Sequence, residues 1–185
     1  MPPLIRATGL ALLWTLSTAQ GQTQPTPSIP AAVTAPAVST ATTPVVLSGV
    51  VQHPRAYLLA ELRALPSRTL TVSFTSGGQG VTHTYRGVLL YDLLKAAKPN
   101  LNAGTKNDAL RWAVLARGAD GYAALFSWGE LDPDFGNRPV LLAYKQDGQP
   151  LPMRDGAVRL VVPGDGKGAR SVSSLVELQI FRSGP

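Results

Sequence analysis

The sequence contains no cysteine. That absence excludes disulfides, thiolate metal ligands and lipid attachment through sulfur. Histidine is nearly as scarce, with only His53 and His83. The two lack the close spacing a metal site needs. No Gly-x-Ser-x-Gly elbow stands beside them to build a serine hydrolase. His83, between Thr82 and Thr84, reads as an exposed or satisfied strand residue. Charge is sparse at 15% of residues, and the net charge of +6 is scattered, with no basic run. Without such a run, or aromatics interleaved with it, no nucleic-acid surface is expected. Acidic ligands at calcium-loop spacing are missing too. There is no twin arginine, since Arg6 stands alone. The apolar run from Ala7 to Leu16 is too short to span a bilayer comfortably.

What is present divides the chain into three parts. Arg6, the apolar run and the small residues Ser17-Thr18-Ala19 have the layout of a secretory signal, so residues 1–19 are expected to be a Sec-type signal peptide. The expected product is secreted or periplasmic, with no membrane insertion after cleavage. Residues 20–44 are Thr-, Pro- and Ala-rich, carry five prolines and have no charge. Such a segment cannot bury enough apolar area to offset its ordering entropy, and it reads as a disordered linker. Residues 45–183 form the folded domain.

Periodicity sketches that domain. Val45 to Val51 opens as a strand, and Leu58 to Leu65 is a short helix stopped by Pro66. Leu70, Val72 and Phe74 alternate with Thr71 and Ser73, and Gly77-Gly78 turns this strand into a hairpin with Val81 to Tyr85. Leu90, Leu93, Leu94 and Ala97 share one helical face. Strands are predicted at Leu110 to Ala116, Tyr122 to Ser127, Val140 to Tyr144 and Val158 to Val162, with a loop over Glu130 to Asn137. In Leu175 to Phe181, Val176, Leu178 and Ile180 are expected to point inward. Leu90, Leu93, Val114, Leu141, Val161 and Leu178 are the predicted core. Many strands with two or more short helices imply an α+β, mostly-β domain with a mixed sheet.

Chemistry concentrates in the stretch Arg159 to Arg170. Leu160, Val161 and Val162 form a buried strand that Pro163 and Gly164 end. The loop that follows carries Gly166, Lys167, Gly168 and Arg170. Glycines let a ligand approach the backbone, and the cations Arg159, Lys167 and Arg170 suit phosphate or another anion. It is not a P-loop, because Gly168 replaces the Ser or Thr after the lysine. A basic hairpin loop that merely turns the chain, with Arg159 and Arg170 paired to Asp155, Asp165 or Glu177, is the competing reading.

The wording Arg159-Leu160-Val161-Val162-Pro163-Gly164, with Gly168-Ala169-Arg170 and Val172, resembles the molybdopterin-binding domain of the sulfite oxidase family. Three further segments are similar in the same order: Tyr85-Arg86-Gly87-Val88-Leu89-Leu90-Tyr91-Asp92-Leu93-Leu94, Ala119-Asp120-Gly121-Tyr122, and Val140 to Tyr144 with Asp147-Gly148-Gln149-Pro150-Leu151-Pro152. The resemblance implies a sulfite oxidase-like fold in which Arg159, Gly164 and Arg170 match the family's cofactor-binding strand and loop, and Lys167 and Gly168 of the same loop complete the candidate cofactor-binding set. It places the family's molybdenum-ligating cysteine at about Thr75 or Ser76, where only hydroxyls are offered. The family's His-Gly-x-Pro is replaced by Arg154-Asp155-Gly156-Ala157. It also implies that cofactor-loaded exported members use the twin-arginine route. The expectation is therefore no catalytic residue, no metal and no cofactor, in a binding or structural module for an anionic small molecule or a protein partner. The alternatives are a molybdopterin-dependent oxidoreductase without a protein thiolate, and an accessory subunit.

Overall fold

The computed structural model describes residues 43–183. The signal peptide and nearly all of the linker expected from the sequence lie outside them. Strands β1 (Val45–Gly49) and β2 (Arg55–Tyr57) and helix α1 (Leu59–Ala64) lead into a long hairpin of β3 (Arg68–Ser76) and β4 (Gln79–Leu89). Helix α2 (Leu90–Ala96), β5 (Trp112–Gly118), β6 (Ala123–Ser127) and the single turn α3 (Trp128–Leu131) follow. Then come β7 (Leu141–Gln146), β8 (Gln149–Pro150), β9 (Arg159–Val161) and β10 (Leu175–Arg182).

The strands form two sheets rather than one. The first has the order β2-β1-β10-β5-β6, and the second runs β3-β4-β7-β8, with β9 also on β7. The first is mixed, because β1 and β10 run parallel while its other neighbours are antiparallel. The apolar run of β7 explains the layering. Leu142 and Tyr144 enter the main core, whereas Leu141 and Ala143 enter a smaller cluster with Val72, Tyr85 and Val161 on the opposite face. A strand covered on both sides needs apolar residues at every position. All six predicted core residues are buried, and Leu141 and Val161 belong to the smaller cluster.

Turn chemistry sets the hairpins. Gly77 and Gly78 have φ of 58° and 80°, and Asp147 and Gly148 have 50° and 79°. Two successive positive φ values suit the twist of two-residue hairpins. Helix α1 begins with half a capping box: Glu61 accepts from the Leu58 N–H at 2.8 Å, while Leu58 has no acceptor to return the bond.

Three local expectations are corrected. Leu110 lies in a 3₁₀ turn over Asp108–Arg111, and the strand starts at Trp112. Asp108 holds that turn by accepting from Trp112 Nε1 at 3.0 Å and from the Asn102 N–H at 2.9 Å. Glu130, expected in a loop, sits in α3, where Ser127 Oγ accepts its N–H at 3.2 Å. A bulge between Leu175 and Glu177 breaks the alternation of β10, so Leu175 is buried and Val176 only half-buried.

Candidate functional site

The glycine loop after β9 is clamped at its root. Leu160 and Val172 exchange main-chain bonds of 2.8 and 3.1 Å on either side of it. Gly164 makes the first bend at φ 83°, a region costly for residues with a Cβ. The loop then crosses to the end of β3. The Thr75 N–H donates to the Gly166 carbonyl at 3.0 Å, and Thr75 pairs with Lys167 in a parallel bridge. Gly168 lies flat on Phe74, where a Cβ would stand 2.8 Å from the ring. The Tyr122 hydroxyl donates to the Ala169 carbonyl and pins the loop's far side. The fold thus brings together the glycine loop and Thr75, one of the two positions given for the family's metal ligand, although they are far apart in sequence. A shallow cleft of about 290 Å³ lies here, lined by Ser73, Phe74, Thr75, Thr82 and Gly166 among others.

The charges around this loop are arranged against one another. Arg170 makes a bidentate contact to Asp165, with Nε and Nη2 each at 2.8 Å, and its Nη1 reaches Glu130 at 3.2 Å. Arg138 donates to the same Asp165 at 2.6 Å. The Arg170 hydrogen bonds, and then the nearby guanidinium charges, hold the Asp165 carboxyl below its ordinary range. The same partner raises the pKa of Arg170. Arg159 pairs with Asp155 at 3.0 Å, and the two side chains are 14% and 5% exposed. Ser173 Oγ donates to the bonded oxygen of Asp155 at 2.9 Å. Asp155 Oδ2 and Arg159 Nε are buried with no hydrogen-bond partner among the described residues. The two guanidiniums lie over rings of different sheets: Arg159 is 6.0 Å from Phe74, and Arg170 is 5.5 Å from Phe126. Lys167 is exposed and makes no ion pair with the described residues.

Sequence reasoning singled out the loop cations and Thr75, but not Glu130 and Arg138. Glu130 stands 40 residues from Arg170, and only the packing of α3 brings it there. Asp165, the one acid in an otherwise cationic glycine loop, was named from the sequence as a possible partner of the loop arginines. Pairing of Arg159 with Asp155 and of Arg170 with Asp165 matches the competing reading of those arginines; Glu177 instead pairs with Arg117 at 3.0 Å. His83 is satisfied, its Nδ1 lying 2.7 Å from Asp147 Oδ2. Among the described residues no three His, Cys, Asp or Glu side chains gather as a metal site.

Two sheets with a glycine loop closed onto the end of β3 define a sulfite oxidase-like fold. It is shared with the sulfane dehydrogenase SoxCD from Paracoccus pantotrophus, at a TM-score of 0.59 and 24% identity, over 75% of this chain and 38% of that one. Residues 32–183 match the oxidoreductase molybdopterin binding domain, and the chain belongs to that family. A nitrate reductase [NADPH] of Fusarium oxysporum is 37% identical over 113 residues, which are 60% of this chain and 12% of that enzyme. The chain therefore spans only a fraction of either relative.

The residues present do not fit a molybdenum centre ligated by a protein thiolate. There is no cysteine in the sequence, and a hydroxyl at Thr75 or Ser76 has a pKa far too high to replace one. The arginines that would meet a phosphate already face Asp155, Asp165 and Glu130.

Proposed function

We propose that this domain is a non-catalytic member of the molybdopterin-binding family, exported by a Sec-type signal and acting as a binding or structural module. The observation that carries the reading is the bidentate contact of Asp165 to Arg170, which puts a carboxylate of the chain beside the cation expected to meet the cofactor. A carboxylate and a phosphate offer the same paired oxygens to a guanidinium, so the loop is already occupied in the chemical sense. Metal analysis of the protein purified from its own compartment tests this, and the expected result is no molybdenum. Near-stoichiometric molybdenum, with oxidation of a sulfur or nitrogen substrate by that preparation, would overturn it and favour the cofactor held without a thiolate.

Lys167 supports a second reading, weak binding of an anionic small molecule at the loop. Lys167 makes no ion pair with the described residues, and its chain neighbour Gly166 lines the cleft together with Thr75. Inorganic phosphate should then shift the amide signals of Gly164 to Gly168 in an NMR titration, and Lys167→Ala should remove the shifts. Unshifted signals in the unmodified protein would leave the loop purely structural.

A further inference from the structure

We infer that the free edge of β3 is an interface, and that the partner it fits is a second copy of this chain. Unpaired sheet edges are ready-made templates for another strand, and proteins normally blunt them with proline, lysine, bulges or shortness. The other edges here are blunted. β2 is three residues long and follows Pro54. β8 is two residues and contains Pro150, and β6 is five residues and runs straight into α3. β3 is nine residues long, has no proline or lysine, and carries its one charge, Arg68, at its first position. Its pairing to β4 shows no register shift.

The bonding direction follows from the turn. Ser76 and Gln79 flank a two-residue loop and form the closing bonded pair, so alternate residues back along β3 bond toward β4. The N–H and C=O groups of Thr69, Thr71, Ser73 and Thr75 therefore face outward. The Thr75 N–H does so visibly, donating to Gly166. The outward groups of Thr69, Thr71 and Ser73 meet no main-chain partner among the described residues, and all three residues are exposed.

This edge is complementary to itself. An antiparallel pairing about a two-fold axis at Thr71 sets Thr71 opposite Thr71 and Thr69 opposite Ser73, each pair exchanging main-chain bonds. Arg68 falls opposite Phe74, so no like charges meet across the axis. One face continues a row of hydroxyl contacts that already joins Thr71 to Thr84 at 3.2 Å and Ser73 to Thr82 at 2.8 Å. The other face sets the half-buried Leu70 of each copy opposite Val72 of the other, at the rim of the smaller apolar cluster. The glycine loop fixes the register, because Gly166 and Lys167 already occupy the edge beside Thr75 and stop a sliding strand.

The test is sedimentation equilibrium of the full chain across micromolar concentrations, with thermal unfolding as the control for folding. The expected result is a reversible dimer. Thr71→Pro removes an N–H that serves only the interface, so the fold should persist while the dissociation constant rises on the order of tenfold or more. Should that variant fail to fold, Thr71→Lys, which sets two ammonium groups against each other at the axis, decides the matter. A chain that stays monomeric at tens of micromolar, or a dimer as tight in the folded variant as in the unmodified protein, overturns the inference.

Discussion

Asp165 governs the loop at the scale of single residues. It receives Arg170 and Arg138 together and is only 17% exposed, so its charge is shared between two guanidiniums in partial shelter from water. Its pKa lies lower in the folded than in the unfolded chain, so the folded state binds fewer protons near the ordinary carboxylate range. The stabilisation is complete above the unfolded value of about 3.9 and is lost as pH falls through the folded value. Thermal midpoints measured across that acid range should fall more steeply for the unmodified protein than for Asp165→Asn. The same variant leaves Arg170 and Arg138 without their shared carboxylate, and it should bind inorganic phosphate more tightly than the unmodified protein by isothermal titration. Equal binding would mean that Asp165 does not stand in for an anion. Tyr91 offers a second residue-scale check. Burial, and then the nearby Asp132, push its phenol up to about 12. Burial also raises Tyr85, so an ultraviolet titration should show late ionisation from both tyrosines, and only the Tyr91 step should move earlier in Asp132→Asn.

Helix α2 and the β4–β7 contact carry the clearest consequences at the scale of elements. Leu90, Leu93 and Leu94 are all at most 2% exposed and anchor α2 to the main core. Truncating one such leucine typically costs about 2–5 kcal/mol, so Leu93→Ala should lose stability in that range by urea unfolding. A loss below about 0.5 kcal/mol would place the helix on a different face. Glycine matters for two different reasons along the chain. At Gly87, where a bulge interrupts the pairing of β4 with β7, a Cβ would run into the backbone of Leu142. At Gly164 a Cβ meets nothing within 4 Å, and only the positive φ resists it. Gly87→Ala should therefore cost about 3 kcal/mol or more, and Gly164→Ala about 1–2 kcal/mol. Similar losses at the two sites would count against the close strand approach at Gly87.

The domain should stand as an autonomous unit at the scale of the whole molecule. Among the described residues, its two clusters are built from side chains of β1 to β10 and the segments between them. A chain beginning near Val45 should keep the thermal midpoint of the form that retains residues 20–44. A drop of many degrees would show that the Thr- and Pro-rich segment packs on the domain, as the start of the family match at residue 32 allows. Fold alone does not assign a reaction, because function resides in the particular groups at a site. Here those groups are arginines paired with the chain's own carboxylates, beside a hydroxyl where the family resemblance puts a thiolate.

The sequence by itself determined whatever depends on neighbours a few residues apart. The face of α2, the alternation of β3 and the turns at Gly77-Gly78 and Asp147-Gly148 were legible because helical and strand periods and positive-φ preferences act over short spans. The absence of cysteine is likewise a property of composition, and no folding can reverse it. Tertiary structure alone decided how charges pair across the chain. Arg170 meets Glu130 across 40 residues, and Arg138 meets Asp165 across 27, only because α3 and the glycine loop pack side by side. It decided also that the buried strand β7 separates two apolar clusters, and that a local bulge turns Leu175 inward in place of Val176. A one-dimensional pattern states which side chains are apolar or charged. Which of them lose water, and against which partner, is set by the three-dimensional packing that removes it.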